Sequence, residues 1–154
     1  LDTIARARAL GYWVEVVTLV IPGFNDSDGE LRDIAQFIAG VSPDIPWHVT
    51  AFHPDYKMLD IPPTPSSTLT RARQIAINNG IHYAYTGNVH DKSGESTYCH
   101  SCGDMLIGRD WYVLSEWNLD AHGRCQKCGT QCAGVFEERP GDWGAKRMPV
   151  RLAK

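Results

Sequence analysis

What this chain lacks narrows what it can be. No apolar run approaches the roughly 20 residues that a membrane-crossing helix needs, and no secretory leader is visible. Positive charge is scarce: 15 Lys and Arg stand against 18 Asp and Glu, a formal net charge of −3. A nucleic-acid binder needs a clustered cationic surface to neutralise phosphates, so this balance argues against that class. The composition of disordered chains is also missing, since 43% of residues are hydrophobic and only 21% charged. An initiator methionine is absent, and the sequence opens Leu1-Asp2-Thr3 within helix-forming residues. The expectation is a piece of a longer protein. Its 154 residues suffice for one ordinary domain with a small appendage.

Cysteine, by contrast, is concentrated. Four of the five cysteines form two matched pairs, Cys99-His100-Ser101-Cys102-Gly103 and Cys125-Gln126-Lys127-Cys128-Gly129. A Cys-x-x-Cys turn puts two thiolates on one side of a tight bend, and the following glycine lets backbone amides point at the sulfurs. Two such knuckles make a tetrahedral four-thiolate cage, so Cys99, Cys102, Cys125 and Cys128 are the expected ligands of a zinc-ribbon-like subdomain over residues 95–137. Disulfides or free thiols are the alternative. The cage accepts zinc or iron, and zinc is favoured because nothing marks an electron-transfer partner. Cysteines in metal-type pairs suit a reducing cytoplasm. Between the knuckles, residues 111–119 have the aromatic and β-branched content of a hairpin strand. Residues 138–154 lack periodicity and read as an irregular tail.

The first 90 residues alternate helix and strand signals. Residues 1–10 are rich in Ala, Leu and Arg, and Gly11 is a natural stop. Residues 12–21 are almost wholly apolar and β-branched, as in a strand buried on both faces. Ser27 and Glu30 have capping-box spacing, and Leu31, Ile34, Ile38 and Val41 share a helix face. The cycle repeats with a strand at 47–53 and a helix capped by Ser66 or Ser67 that carries Leu69, Ala72, Ile75 and Ala76. Asn79-Gly80 closes that helix, and a third strand follows at 81–86. This order predicts an α/β fold with parallel strands and crossover helices. Three strands leave long unpaired edges, so the expectation is the C-terminal part of a partial (β/α) barrel.

In such architectures chemistry sits at the C-terminal ends of the strands. Those ends carry Pro22-Gly23-Phe24-Asn25-Asp26, Phe52-His53-Pro54-Asp55-Tyr56 and Thr86-Gly87-Asn88-Val89-His90. Gly23 and Gly87 would permit close backbone approach of a ligand. Asn25, Asp26 and Asn88 also serve as ordinary turn formers. His53 directly follows an apolar strand and precedes a proline that holds it extended, which makes it a candidate ligand contact. His48 and Thr50 share a face. Glu15 is costly within a strand unless paired, and Thr18 lies on the opposite face from it.

The motif order WVEVVTLVIPGFND, ELRDIAQFI, PWHVTAFHPDYKM, PTP, YTGNV and two Cys-x-x-Cys-Gly knuckles resembles one family over about residues 1–137. It is similar to the C-terminal half of radical S-adenosylmethionine enzymes of the AmmeMemoRadiSam system, relatives of pyruvate formate-lyase-activating enzyme. The resemblance implies a partial barrel holding a [4Fe–4S] cluster and S-adenosylmethionine. Reductive cleavage of that cofactor yields a 5′-deoxyadenosyl radical, which abstracts hydrogen from a substrate, either a small molecule or a partner protein. It also implies that His53 lies near the adenosine of the cofactor, that Thr18 and Leu19 supply a cofactor-facing wall, and that the four paired cysteines form an accessory ribbon. The Cys-x-x-x-Cys-x-x-Cys loop that carries the family's cluster is absent; Cys125, Cys128 and Cys132 have its spacings in reverse order. The chain alone is therefore expected to be inactive, and Cys132 to be an ordinary buried thiol. The competing expectations are a non-enzymatic zinc-ribbon interaction module and a rubredoxin-like iron electron carrier.

Overall fold

The computed structural model describes residues 1–141 and divides into two compact units, with the break after Glu95. The expected irregular tail lies outside the described residues from residue 142 onward.

In the first unit the order is α1 (Asp2–Ala9), β1 (Val16–Val20), α2 (Asp28–Val41), β2 (Trp47–Ala51), α3 (Ser66–Asn78), β3 (Ala84–Gly87) and α4 (Lys92–Glu95). The strands are parallel and lie in sequence order, β1-β2-β3. Leu31, Ala35 and Ile38 of α2 and Leu69, Ala72 and Ala76 of α3 join Val20, Trp47, Val49, Ala51 and Ala84 in one buried cluster. Both long helices therefore cover the same face of the sheet. A 14-residue helix is marginal alone; burial of each large apolar side chain contributes about 1.5–3 kcal/mol and holds the layers together. The opposite face carries Val17, Leu19, His48, Thr50, Tyr85 and Gly87, and Val17 remains 65% exposed. Among the described residues no further strand pairs with β1 or β3, so the sheet is open rather than closed into a barrel.

The strands are shorter than the apolar runs suggest, because pairing decides their limits. Val16 N–H donates to Pro46 O at 2.9 Å, and Pro46 has no N–H with which to continue the pairing toward residue 12. The third strand likewise starts at Ala84, opposite Trp47. Ser27 caps α2 as expected, its Oγ accepting from Glu30 N–H at 3.3 Å. At α3 the cap differs: Pro65 holds the N-cap position and Ser66 is already helical, so neither serine caps. The reason is the Pro-Thr-Pro sequence. Thr64 is buried, and its Oγ1 accepts from Phe52 N–H at 2.9 Å while donating to Val20 O. This hydroxyl joins the ends of β1 and β2, and Pro65 must then start the helix at once.

The second unit holds β4 (Thr97–Tyr98), β5 (Met105–Asp110) and β6 (Val113–Trp117), antiparallel in that order. The hairpin strand expected over 111–119 is shorter, because Trp111 and Tyr112 form the turn, with Trp111 at φ 53°.

Thr64→Val should strand two backbone groups inside the fold at about 1–3 kcal/mol each. Urea denaturation of the first unit's transition should show a loss of about 2–6 kcal/mol with an unchanged slope.

Candidate functional site

The four paired cysteines converge. Their sulfurs all lie within 4.8 Å of one another, with Cys99–Cys128 at 3.6 Å and Cys102–Cys125 at 3.7 Å. A tetrahedral ion with metal–sulfur bonds of about 2.3 Å sets its sulfurs about 3.8 Å apart. The cage therefore fits a single zinc or iron ion and is too tight for a cluster, which spreads its thiolates over several irons. Both knuckles are built identically. Gly103 N–H donates to Cys99 O and Gly129 N–H to Cys125 O, each at 2.8 Å. Cys99 N–H donates to Asp104 O at 2.8 Å and Cys125 N–H to Thr130 O at 2.9 Å. Gly103 and Gly129 sit at φ 74° and 77°, where a side chain would be strained. In each knuckle the first cysteine is buried and the second exposed. Lys127 in the second knuckle donates to Asp104 beside the first at 2.8 Å, and that bond holds its ammonium above its usual range.

Four thiols this close cannot all ionise without a cation. The Asp104 N–H draws Cys102 down, but burial and the sulfurs of Cys128, Cys99 and Cys125 outweigh it and push the thiol up to about 12. Cys128 goes the other way, drawn down to about 6 by the Thr130 hydroxyl, the Thr130 N–H and Cys102. Cys132 is buried and lies outside the four-sulfur group.

The strand ends of the first unit come together at one edge of the sheet because the three strands are adjacent and parallel. Most of their polar groups are spent on local structure. Asn25 Oδ1 accepts from Ile21 N–H at 2.7 Å and its Nδ2 donates to Leu19 O at 3.0 Å. Asp26 accepts from Gly23 N–H, and Asn88 Nδ2 donates to Ala51 O. Gly87 does not leave room for a ligand: a Cβ there would lie 2.8 Å from the Thr50 methyl, so Thr50 fills the space. Gly23 has open space and φ 76°. His53 is exposed and has no bonded partner among the described residues.

Leu19 and Thr18, paired in the expected cofactor wall, point to opposite faces. Leu19 is 44% exposed on the open face. Thr18 faces the helices, where its Oγ1 accepts from Trp47 Nε1 at 2.9 Å. It is a partner for a buried indole and does not join Leu19. Across the open face runs a group whose geometry sequence reasoning missed. Trp13 Nε1 donates to Glu15 Oε1 at 2.8 Å, Glu15 Oε2 meets His48 Nε2 at 2.9 Å, and His48 stacks on Tyr85 with ring centroids 5.1 Å apart. The signal was Glu15 itself, a carboxylate needing a partner; parallel register, which sets Val17 opposite His48, supplies it.

The chain is 44% identical over 131 residues to the uncharacterized protein MJ0808 of Methanocaldococcus jannaschii, a match covering 84% of this chain and 39% of that relative. It thus spans about two fifths of the length of the curated relative it matches. No family model matches the sequence, and no solved structure does.

Purified protein should bind one zinc or iron ion, measured by elemental analysis, and Cys99→Ser should lose it. Chelation should unfold the region of residues 96–137 before the α/β unit, read by hydrogen exchange, because a structural ion supplies folding energy on the order of 10 kcal/mol. Zinc needs four thiolates, so at neutral pH it must expel the Cys102 proton; affinity should fall as pH falls, and more steeply below about 6, where Cys128 also holds a proton. Zinc titrations between pH 5 and about 8 would check the sign and the bend.

Proposed function

We propose that this chain is the cofactor-wall portion of a radical S-adenosylmethionine enzyme of the activating-enzyme type, joined to an accessory metal ribbon. The observation that carries the reading is the sheet. Three parallel strands lie in sequence order with both long crossover helices on one face, and His53 stands just past the C-terminal end of the central strand. Winding of this kind is how a (β/α) barrel is built, with ligands met at the C-terminal ends. Parallel sheets occur almost only with both faces covered, and the face opposite the helices is bare enough to leave Val17 65% exposed. Further strands would complete the enclosure, and the matched relative has 61% of its length beyond the match to hold them.

On this reading His53 hydrogen-bonds the adenosine part of S-adenosylmethionine, and Leu19 forms part of the apolar wall beside it. Thr18 faces the helix side, where its hydroxyl accepts from Trp47, so on this reading Leu19 carries the wall. The cofactor supplies hydrogen-abstracting radical chemistry to a small molecule or a partner protein. This chain offers no ligand set for the [4Fe–4S] cluster that such chemistry needs: four of its five cysteines form the single-ion cage. The cluster would belong to another part of the protein, and no step of this chain's chemistry runs through it. Five free thiols suit a reducing compartment, and we place the protein in the cytoplasm. No helix among the described residues is long and apolar enough to cross a membrane.

A second reading rests on the sulfur geometry alone. A zinc-loaded cage would serve as a docking module without turnover, and an iron-loaded one as an electron carrier.

An upstream-extended gene product, reconstituted with iron and sulfide, should turn brown and release 5′-deoxyadenosine and methionine after reduction. The 154 residues alone should not. His53→Ala in the longer protein should weaken S-adenosylmethionine binding about three- to tenfold by calorimetry, the worth of one hydrogen bond. A longer product without the three-cysteine loop, or without cofactor cleavage, would end the radical reading. A docking module would instead show partner binding that disappears on Cys99→Ser, and iron in the cage would colour the protein where zinc would not.

A further inference from the structure

We infer that Glu15, His48 and Tyr85 form a polar subsite on the open face of the sheet, one that accepts a hydrogen bond from the hydroxyl group of a small molecule lying against Val17 and Leu19. The inference deepens the reading that this face meets a ligand and rests on it, but its evidence is the geometry of three neighbouring strands.

The chemistry follows from donor and acceptor roles. An ionised carboxylate only accepts. Glu15 Oε2 lies 2.9 Å from His48 Nε2, so Nε2 carries the proton in the neutral ring. Its other oxygen is occupied by the Trp13 indole N–H at 2.8 Å, which keeps the carboxylate from turning away. Tyr85, the register partner of His48, stacks on the ring at an interplanar angle of 25°. The imidazole is thus held from two sides in one tautomer, and among the described residues its Nδ1 lone pair has no partner. Carboxylate-oriented imidazoles of this kind are the arrangement in which histidine presents a fixed acceptor nitrogen.

The neighbours select the ligand. An anion is disfavoured by the Glu15 carboxylate beside the ring. A metal ion needs three or four protein ligands, and this group offers one free nitrogen. A cation would have to compete for a carboxylate whose two oxygens each already accept an N–H. Along the same face, Thr50 donates its hydroxyl to Thr18 O at 3.3 Å, while Val17 and Leu19 present exposed apolar surface. An uncharged molecule with an apolar body and one hydroxyl matches this surface.

Phenol is the probe, with toluene as the same body without the donor. In long-range proton–nitrogen spectra of the 15N-labelled, zinc-loaded chain, His48 should show the Nε2–H tautomer. Phenol should shift its Nδ1 resonance saturably, and toluene should leave it in place. Glu15→Gln should weaken the phenol response at least threefold, whereas Asp44→Asn, which loosens the His82 pair instead, should not. If Glu15→Gln fails to fold, the contrast between phenol and toluene on the unmodified chain still decides. An Nδ1–H tautomer, equal responses to both probes, or a phenol shift no larger at His48 than at His53 would overturn the subsite. None of these readouts uses S-adenosylmethionine. Absence of cofactor cleavage beside an intact phenol response would therefore fall on the radical reading alone.

Discussion

Crossover geometry is the constraint on which the first unit depends. Parallel neighbours in sequence order can be joined only by excursions that leave the sheet and return, and in natural chains those excursions turn with one hand. Two successive crossovers therefore deposit α2 and α3 on the same side, and the sheet acquires one filled face and one bare face. The division assigns a role to every strand residue by parity. Trp47, Val49 and Ala51 go to the core, while His48 and Thr50 go to the other side. It also explains why polar residues are tolerated in strands so rich in valine.

The second unit rests on a different footing. Among the described residues its buried apolar side chains are few, Leu106, Ile107 and Leu119 with three cysteines among them, a small core to order them by burial alone. The four converging sulfurs could hold one ion, and a bound ion would supply the order that so small a core does not. The two knuckles repeat the same backbone bonds, so each sulfur pair is positioned by local turns before any metal arrives. The Lys127–Asp104 bond links the turns from outside.

Periodicity made the alternation of helices and strands legible, and cysteine spacing made the cage legible, because both are local rules written in consecutive residues. What escaped depended on pairs far apart in the chain. The resemblance implied a ligand contact at Thr18, and nothing nearby in the sequence reveals that its hydroxyl accepts from Trp47. Thr64, between two prolines, carries no local signal of its role, yet it bonds Val20, 44 positions away. Glu15 advertised a need for a partner without naming His48, 33 positions on. Ser66 and Ser67 had capping chemistry, but the demand of Thr64 on the loop moved the helix start to Pro65. The hairpin turn went unseen because Trp111 occupies a positive-φ position that usually belongs to glycine or asparagine.

Each knuckle keeps its first sulfur covered and shows its second to solvent. The cage thus has an inner and an outer side. A competing thiol arriving from water would meet Cys102 and Cys128 before the other two, so an ion held there would be surrendered in stages, with Cys99 and Cys125 as its last holders. Transfer of such an ion to a thiol-bearing acceptor would be a stepwise exchange of partners, without the bare ion entering solution.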